Sequence, residues 1–397
     1  MPLGPQCPSS GIAIAHGQRF LHYLDLYPDK LIMIYDAKVE WNDVAILYPT
    51  SSIYVPVPNH LDWTSVKEVC SGIGCMGMAA QHYGLQCRAA MDINPHVAQH
   101  LHAQGHHGAF VGDVTHLPDR QRLHLTGGSE RCLLLCGFPC QPLSTQGDGK
   151  GPADTRSKPF FATLQVAWEQ QVSAVLLECV PGALQAEFVQ HGIQRLAWSM
   201  GMEVHQRVLH LSRSWPSSRT RWWCILTFRE LQIAQIPDMP NHSSLSTVGD
   251  LLSVWPAWQM DIERQVQLTE EEYKVYMDPR FGSDQRFLRS DKACPCILHS
   301  YGSVLEACPC GCRSHPLAFH RLERDGVRGF FVQSSADQRL RYLTTKEAAL
   351  LLTVPATIDF ANEKLGLALL GQCAAPVQAV WTLGHLFQAL GDFLSRP

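Results

Sequence analysis

From Val66 to Phe228 the chain repeats one pattern. A short apolar run closes on a glycine, a proline or an acid, and helical patterns fall between the runs. Runs of strand length alternating with helices predict an α/β fold with a mostly parallel sheet. In such sheets the carboxyl ends of the strands form the edge where ligands and chemistry sit. What each run ends on therefore matters more than what it contains.

The run from Arg131 to Ser144, RCLLLCGFPCQPLS, is the most pointed of them. It reads as a buried central strand broken by Gly137, Phe138 and Pro139, which delivers Cys140 to the sheet edge. A thiolate there is a candidate nucleophile. Earlier, VKEVCSGIGCMGMAA (Val66 to Ala80) is a strand meeting a glycine-dense turn at Gly72, Gly74 and Gly77. Such a turn lets backbone and a helix N-terminus approach a ligand closely. The next strand, Leu85 to Ile93, ends at Asp92, about 20 residues after the glycines, where an acid accepts ribose hydroxyls in nucleoside-binding folds. A third, Ala109 to Val114, ends with Gly112 and Asp113, an acid that can accept an exocyclic amine. Beyond the nucleophile run, QGDGKGP is a candidate lid. Asp154, Thr155 and Arg156 open a helix, and SAVLL carries Glu178 at its end, a carboxylate suited to donating a proton. In SRTRWWCILTF, Arg219 and Arg221 stand two apart and face one side of an extended chain.

From about Glu230 to Gln333 the pattern is lost. This stretch holds Cys294, Cys296, Cys308, Cys310 and Cys312 with His315 behind them, a set that could ligate zinc. The Cys-x-Cys spacing is unlike the usual knuckle, and reduced loop thiols are the alternative; no metal is assigned. Helical pattern returns with RYLTTKEAALLLTVP. LGLALLGQCAAPVQAVWTLGHLFQAL then reads as one long apolar helix. The expected divisions are an N-terminal extension (1–62), a catalytic and cofactor-binding domain (63–230), an inserted domain (231–335) and C-terminal helices completing the catalytic domain (336–397).

Together these strand-end motifs resemble the cytosine-5 DNA methyltransferase family, which uses S-adenosylmethionine. Pro139, Cys140 and Gln141 match its nucleophile motif, Glu178 its Glu-Asn-Val glutamate, and Arg219 and Arg221 its Gln-x-Arg-x-Arg pair. Gly72 and Gly74 match the cofactor glycines, Asp92 the ribose acid and Asp113 the adenine-side acid. Asp154 and Arg156 match its Asp-x-Arg, Arg341 to Ala349 a late Arg-x-Leu-Thr motif, and Gly371 and Pro376 the last motif. The resemblance implies a Rossmann-like methyltransferase domain with a small inserted target recognition domain. Cys140, Glu178, Arg219 and Arg221 would then be catalytic. Ser71, Gly72, Ile73, Gly74, Asp92, Ile93, Asp113, Val114 and Pro139 would hold the cofactor, and Gln141 and Ser144 would meet the substrate. The chain departs from the family at Cys70 (usually Phe), Cys75 (Gly), Cys179 (Asn), Ser217 (Gln) and Gln372 (Asn).

The implied partner is duplex DNA containing cytosine. An RNA substrate, tRNA in particular, and a catalytically weak DNA-binding relative are the alternatives. A net charge of −4 gives no global basic field, so any nucleic-acid contact is expected from a local cleft. Fifteen cysteines in a chain whose first residues lack a signal-like pattern suggest reduced thiols, in the cytosol, or in the nucleus of a eukaryote, and not a secreted protein. No apolar run is expected to span a membrane. Oligomeric state is not legible.

Overall fold

A computed structural model describes residues 65–127, 132–143, 151–240, 331–333, 340–342, 344–355, 358–361 and 363–394. The N-terminal extension, Ser144, the candidate lid up to residue 150, Leu343 and the cysteine cluster at 294–312 lie outside the described residues. Residue contacts divide the chain into two units. One comprises Met1–Leu209, Arg221–Asp238 and Ala379–Pro397, and the other His210–Thr220 and Met239–Gln378.

The first unit is built on a seven-stranded sheet. Its strands are β1 (Ser65–Val69), β2 (Gln86–Asp92), β3 (Ala109–Val111), β4 (Leu133–Gly137), β5 (Ala174–Cys179), β6 (Met202–His210) and β7 (Thr220–Phe228). They lie in the order β3-β2-β1-β4-β5-β7-β6. The pairs β1–β2, β1–β4, β2–β3 and β4–β5 are parallel, and β7 runs antiparallel to β5. Helices α1 (Cys75–His82), α2 (Pro95–Ala103), α3 (Leu117–Gly127), α4 (Lys158–Glu169) and α5 (Glu187–Met200) connect or follow the strands. Successive connections leave β1 on one side toward β2 and reach β4 on the other. The strand order therefore reverses between β1 and β4, which opens a crevice at their carboxyl ends.

The sheet is apolar on both faces, as a parallel sheet covered by helices must be. Alternate residues Val69, Leu134, Cys136, Val175, Leu177, Trp222, Cys224 and Leu226 join Phe160, Phe188 and Ile193 in one buried cluster. Here α4 and α5 approach closely at Gly192, where a Cβ would lie 2.9 Å from Phe160 Cε1 and 3.0 Å from Leu164 Cδ1.

In the second unit, a short hairpin pairs β8 (Phe331–Gln333) with β9 (Leu340–Tyr342). Helix α6 (Thr345–Leu351) begins with a capping box: the Thr344 hydroxyl accepts from the Glu347 amide, and the Glu347 carboxylate accepts from the Thr344 amide. The threonine and glutamate of the late motif thus have a structural reason for their spacing.

The apolar C-terminal run corrects the sequence reading twice. It is not one helix but two, α7 (Glu363–Gln372) and α8 (Pro376–Leu394). Pro376 occupies the first position of α8, a place its missing N–H tolerates, and disfavours helix in the residue before it. The run is also long and apolar enough, by composition, to cross a membrane, contrary to the expectation. Most of it is buried within the fold, as in a core helix. Gly192→Val is expected to overpack the α4–α5 contact and cost about 1–3 kcal/mol. Urea denaturation should show this as a lower midpoint with an unchanged m-value.

Candidate active site

Three turns meet at the β1/β4 crevice. The first follows β1. Gly72 and Gly74 both take positive φ, at +53° and +78°, so both positions favour glycine. A Cβ on Gly74 would meet Leu101 Cδ2 at 2.8 Å, whereas one on Gly72 would find nothing within 4 Å, so the turn has open space beside it. The Ser71 amide donates to the Met91 carbonyl, tying this turn to the end of β2. Cys75 departs from the family's glycine without cost to the turn. It opens α1 and is absent from the positive-φ positions, so nothing there requires a glycine. Cys70 is the strained residue of this turn, with φ +50°; its hydrogen bond with Cys136 on β4, then burial, push its thiol pKa well above the ordinary range.

Asp92 closes β2 and organises the rest of this corner. One carboxylate oxygen accepts from the Gly72 amide at 2.9 Å and the other from the Asn94 amide at 2.9 Å. Burial pushes its pKa up while these amides oppose the shift. A carboxylate oxygen accepts more than one hydrogen bond, so Asp92 can hold the turn and still receive hydroxyl donors. Ile93 behind it is 69% exposed, an apolar side chain left beside the glycine turn. Asp113 is engaged locally: one oxygen accepts from both the amide and the hydroxyl of Thr115, each at 2.8 Å. Ile73 and Val114, expected among the cofactor contacts, have buried side chains.

The second and third turns carry the reactive groups. In the parallel register of β4 and β5, Gly137 stands directly opposite Glu178. Across β5 and β7 Glu178 faces Trp223, so Arg221, two residues earlier on β7, lies on the same face. Its Nε reaches a Glu178 carboxylate oxygen at 2.9 Å, with both side chains almost buried. A Cβ on Gly137 would lie 3.5 Å from the other Glu178 oxygen, 3.5 Å from Met76 Cε and 3.8 Å from the Cys70 carbonyl. Gly137 is thus a shared wall, with the glycine turn on one side and the acid on the other.

Cys140 is half-buried three residues beyond Gly137, in a turn closed by the Leu143 amide on the Cys140 carbonyl at 2.9 Å. Cys179, in place of the family's Asn, donates its thiol to the Phe138 carbonyl at 3.8 Å and so still braces the nucleophile turn. Burial pushes the Cys179 thiol well up, and the charges of Glu178 and Cys140 add to this while Arg221 opposes it. One buried thiol senses three of the four expected catalytic groups. Gln141 follows Cys140 in the same turn.

Arg219 behaves differently from Arg221. It belongs to the second unit, where its buried guanidinium donates to the Cys373 carbonyl and its own carbonyl accepts from Gln378 Nε2 at 3.4 Å. Those partners flank Ala374 to Pro376, so Arg219 ties the start of β7 to the last family motif. Arg221 is the arginine that meets Glu178, the expected proton donor. Asp154 and Arg156 pair with each other, Arg156 Nε to both Asp154 oxygens at 2.9 and 3.1 Å, and so fix the turn that precedes α4. Sequence reading missed Met76, the second residue of α1, which reaches the Gly137 wall. Its type and spacing carry no signal of this.

A glycine turn with open space, an acid that has oriented it and an exposed apolar side chain beside both fit a nucleoside-bearing cofactor. Comparisons with known proteins agree with this geometry. The description "C-5 cytosine-specific DNA methylase" matches residues 64–377. Type II methyltransferase M.HgiCI of Herpetosiphon aurantiacus is 32% identical over 29% of the chain and 27% of its own length. M.HhaI of Haemophilus parahaemolyticus is 25% identical over 47% and 55%. M.MspI of a Moraxella species is 22% identical over 72% and 62%. The chain therefore spans less than two thirds of these relatives. Among solved structures, the S. pombe Dnmt2 methyltransferase shares the fold with a TM-score of 0.58 at 19% identity, over 82% of this chain and 99% of that one. The Entamoeba histolytica methyltransferase EhMeth does so with a TM-score of 0.62 at 13% identity, over 83% and 99%.

Removing Arg221 while Glu178 stays should leave a buried carboxylate uncompensated. Arg221→Ala is expected to cost about 3–5 kcal/mol in chemical denaturation, and the loss should shrink when Glu178→Gln accompanies it. With the motifs in family order and the glycine turn, Glu178, Arg221 and Cys140 gathered at one sheet edge, the chain belongs to the C-5 cytosine-specific DNA methylase family.

Proposed function

We propose that the chain transfers a methyl group from S-adenosylmethionine to carbon 5 of a cytosine flipped out of duplex DNA. The observation that carries this reading is the convergence on Gly137. The glycine turn stands on one side of it and the Glu178–Arg221 pair on the other, with the Cys140 turn directly following. The turn Ser71–Gly74, Asp92 and Ile93 would hold the cofactor, which supplies an electrophilic methyl group on sulfonium.

Carbon 5 of cytosine is a weak nucleophile until the ring is activated. The Cys140 thiol passes its proton by way of the Glu178 carboxylate to ring nitrogen 3 as its sulfur adds to carbon 6, so that carbon 5 gains enamine character. Carbon 5 takes the methyl group, leaving the cofactor's sulfur as a thioether, and loses its proton to water; the bond from Cys140 to carbon 6 then breaks and ring nitrogen 3 returns its proton to Glu178, which restores the ring. Arg221 holds Glu178 in place and presents positive charge beside the base. The half-buried position of Cys140 limits water around the reacting atoms. A cytosine stacked in a duplex cannot reach this crevice, so flipping is required. The segment 231–335 is the part we assign to reading the flanking bases, and its stretch 241–330 lies outside the described residues.

Transfer of labelled methyl groups tests the proposal, with duplex DNA and total tRNA as parallel substrates. Label is expected in DNA and should fall at least about 10⁴-fold in Cys140→Ser, as for loss of a covalent nucleophile, while cofactor binding persists. Label confined to tRNA would move the substrate to RNA. No label in either, with cofactor bound, would favour a binding protein.

A further inference from the structure

The nucleophile turn rests on a neighbour that carries no side chain. Just after β5, which holds Glu178 and Cys179 at its end, the chain makes a short 3₁₀ turn, Pro181–Leu184. A Cβ on Gly182 would run into the Leu143 carbonyl oxygen, nearer than real Cβ atoms come to a backbone. Gly182 is absent from the positive-φ positions, so space alone calls for glycine there. Leu143 is the residue whose amide closes the Cys140 turn. The turn that follows the acid and the turn that bears the thiol are therefore in direct backbone contact.

A chain of side-chain amides holds the Pro181–Leu184 turn in that place. Gln190 of α5 donates through Nε2 to the Ala183 carbonyl at 2.9 Å. It also exchanges two hydrogen bonds with Gln206 of β6, at 3.2 and 2.9 Å. Gln206 Oε1 accepts in turn from Trp222 Nε1 at 2.8 Å, on the residue next to Arg221 in β7. The roles at both ends are fixed, since an indole nitrogen only donates and a carbonyl only accepts. Each amide thus has one orientation that satisfies the whole chain. Trp222 is buried, and its ring meets Phe138, two residues before Cys140, edge-on with centroids 6.4 Å apart.

We propose that Gly182 and Gln190 are positioning residues for the nucleophile. The amide chain anchors the Pro181–Leu184 turn to β7, and that turn, pressed on the Leu143 carbonyl, sets where Cys140 stands relative to Glu178 and Arg221. Both residues act through the backbone of their neighbours, Gly182 on Leu143 and Gln190 on Ala183. A side chain at Gly182 has to displace the Cys140 turn or the turn after the acid, and either shift misplaces the thiol against the ring that Glu178 protonates. Misplacement of about 1 Å costs up to roughly 100-fold in rate. This inference rests on the methyl-transfer reading above and extends it to residues outside the reacting groups.

The test compares the full chain as parent with Gly182→Ala, Gln190→Glu and Gln206→Glu. It measures kcat on duplex DNA, KM for S-adenosylmethionine, melting temperature, and the rate at which iodoacetamide alkylates Cys140, read by mass spectrometry. Gly182→Ala is expected to lower kcat about tenfold or more with KM for the cofactor within about threefold, a split that general loss of stability does not produce. Its Cys140 should be alkylated about threefold faster or more, because the displaced turn opens. Gln190→Glu cannot donate to the Ala183 carbonyl and should change both readouts in the same direction. Gln206→Glu still accepts from Trp222 and Gln190, so it should lose less than Gln190→Glu. A folded Gly182→Ala chain with the parent's kcat and alkylation rate overturns the proposal. If that variant does not fold, the same result in Gln190→Glu overturns it. A parent that transfers no methyl group defeats the methyl-transfer reading itself, and the alkylation rates then decide the placement of Cys140.

Discussion

The ion pair between Glu178 and Arg221 is the interaction on which the site depends. Two charges are held almost out of water at a sheet edge, where neither would be tolerated alone. The register of β5 with antiparallel β7 sets Glu178 opposite Trp223 and so puts Arg221 diagonally across from Glu178 on the same face. On the other side β4 places Gly137 opposite Glu178, where a Cβ would lie in van der Waals contact with the acid and the Cys70 carbonyl. The antiparallel strand β7 beside β5 is therefore part of what builds the site as well as a feature of topology.

The cofactor corner follows the same logic with different means. Glycines at positive φ leave space, and the Asp92 carboxylate beside them supplies the order that side chains in the turn cannot. Substitutions away from the family pattern are absorbed where the backbone or a neighbour compensates. Cys75 needs no positive φ, and Cys179 keeps a weak donor on the Phe138 carbonyl where the family has an amide. The nucleophile turn is consequently braced by a thiol bond longer than an ordinary hydrogen bond.

Much of this was legible from residues alone, because strand ends carry distinctive chemistry. The glycine turn, Asp92, Cys140, Glu178 and Arg221 were each readable as a run followed by a break, and the parallel register does bring them to one edge. Three things were not. The break between α7 and α8 hid inside a run whose apolar composition outweighed a single proline. The different fates of Arg219 and Arg221 depend on what each meets in space, which a two-residue spacing does not disclose. Gly182 was overlooked since its need for space shows only once the Leu143 carbonyl beside it is seen.

The central claim is that Cys140 bonds to carbon 6 of cytosine during turnover. It is tested most directly with duplex DNA carrying 5-fluorocytosine, incubated with the chain and S-adenosylmethionine and run on a denaturing gel. Fluorine at carbon 5 cannot leave as a proton, so the account predicts a methylated adduct trapped at Cys140, with mass spectrometry locating the bond there and the Cys140→Ser chain forming none. A chain that methylates ordinary cytosine yet leaves no adduct, or one joined through another residue, would contradict it.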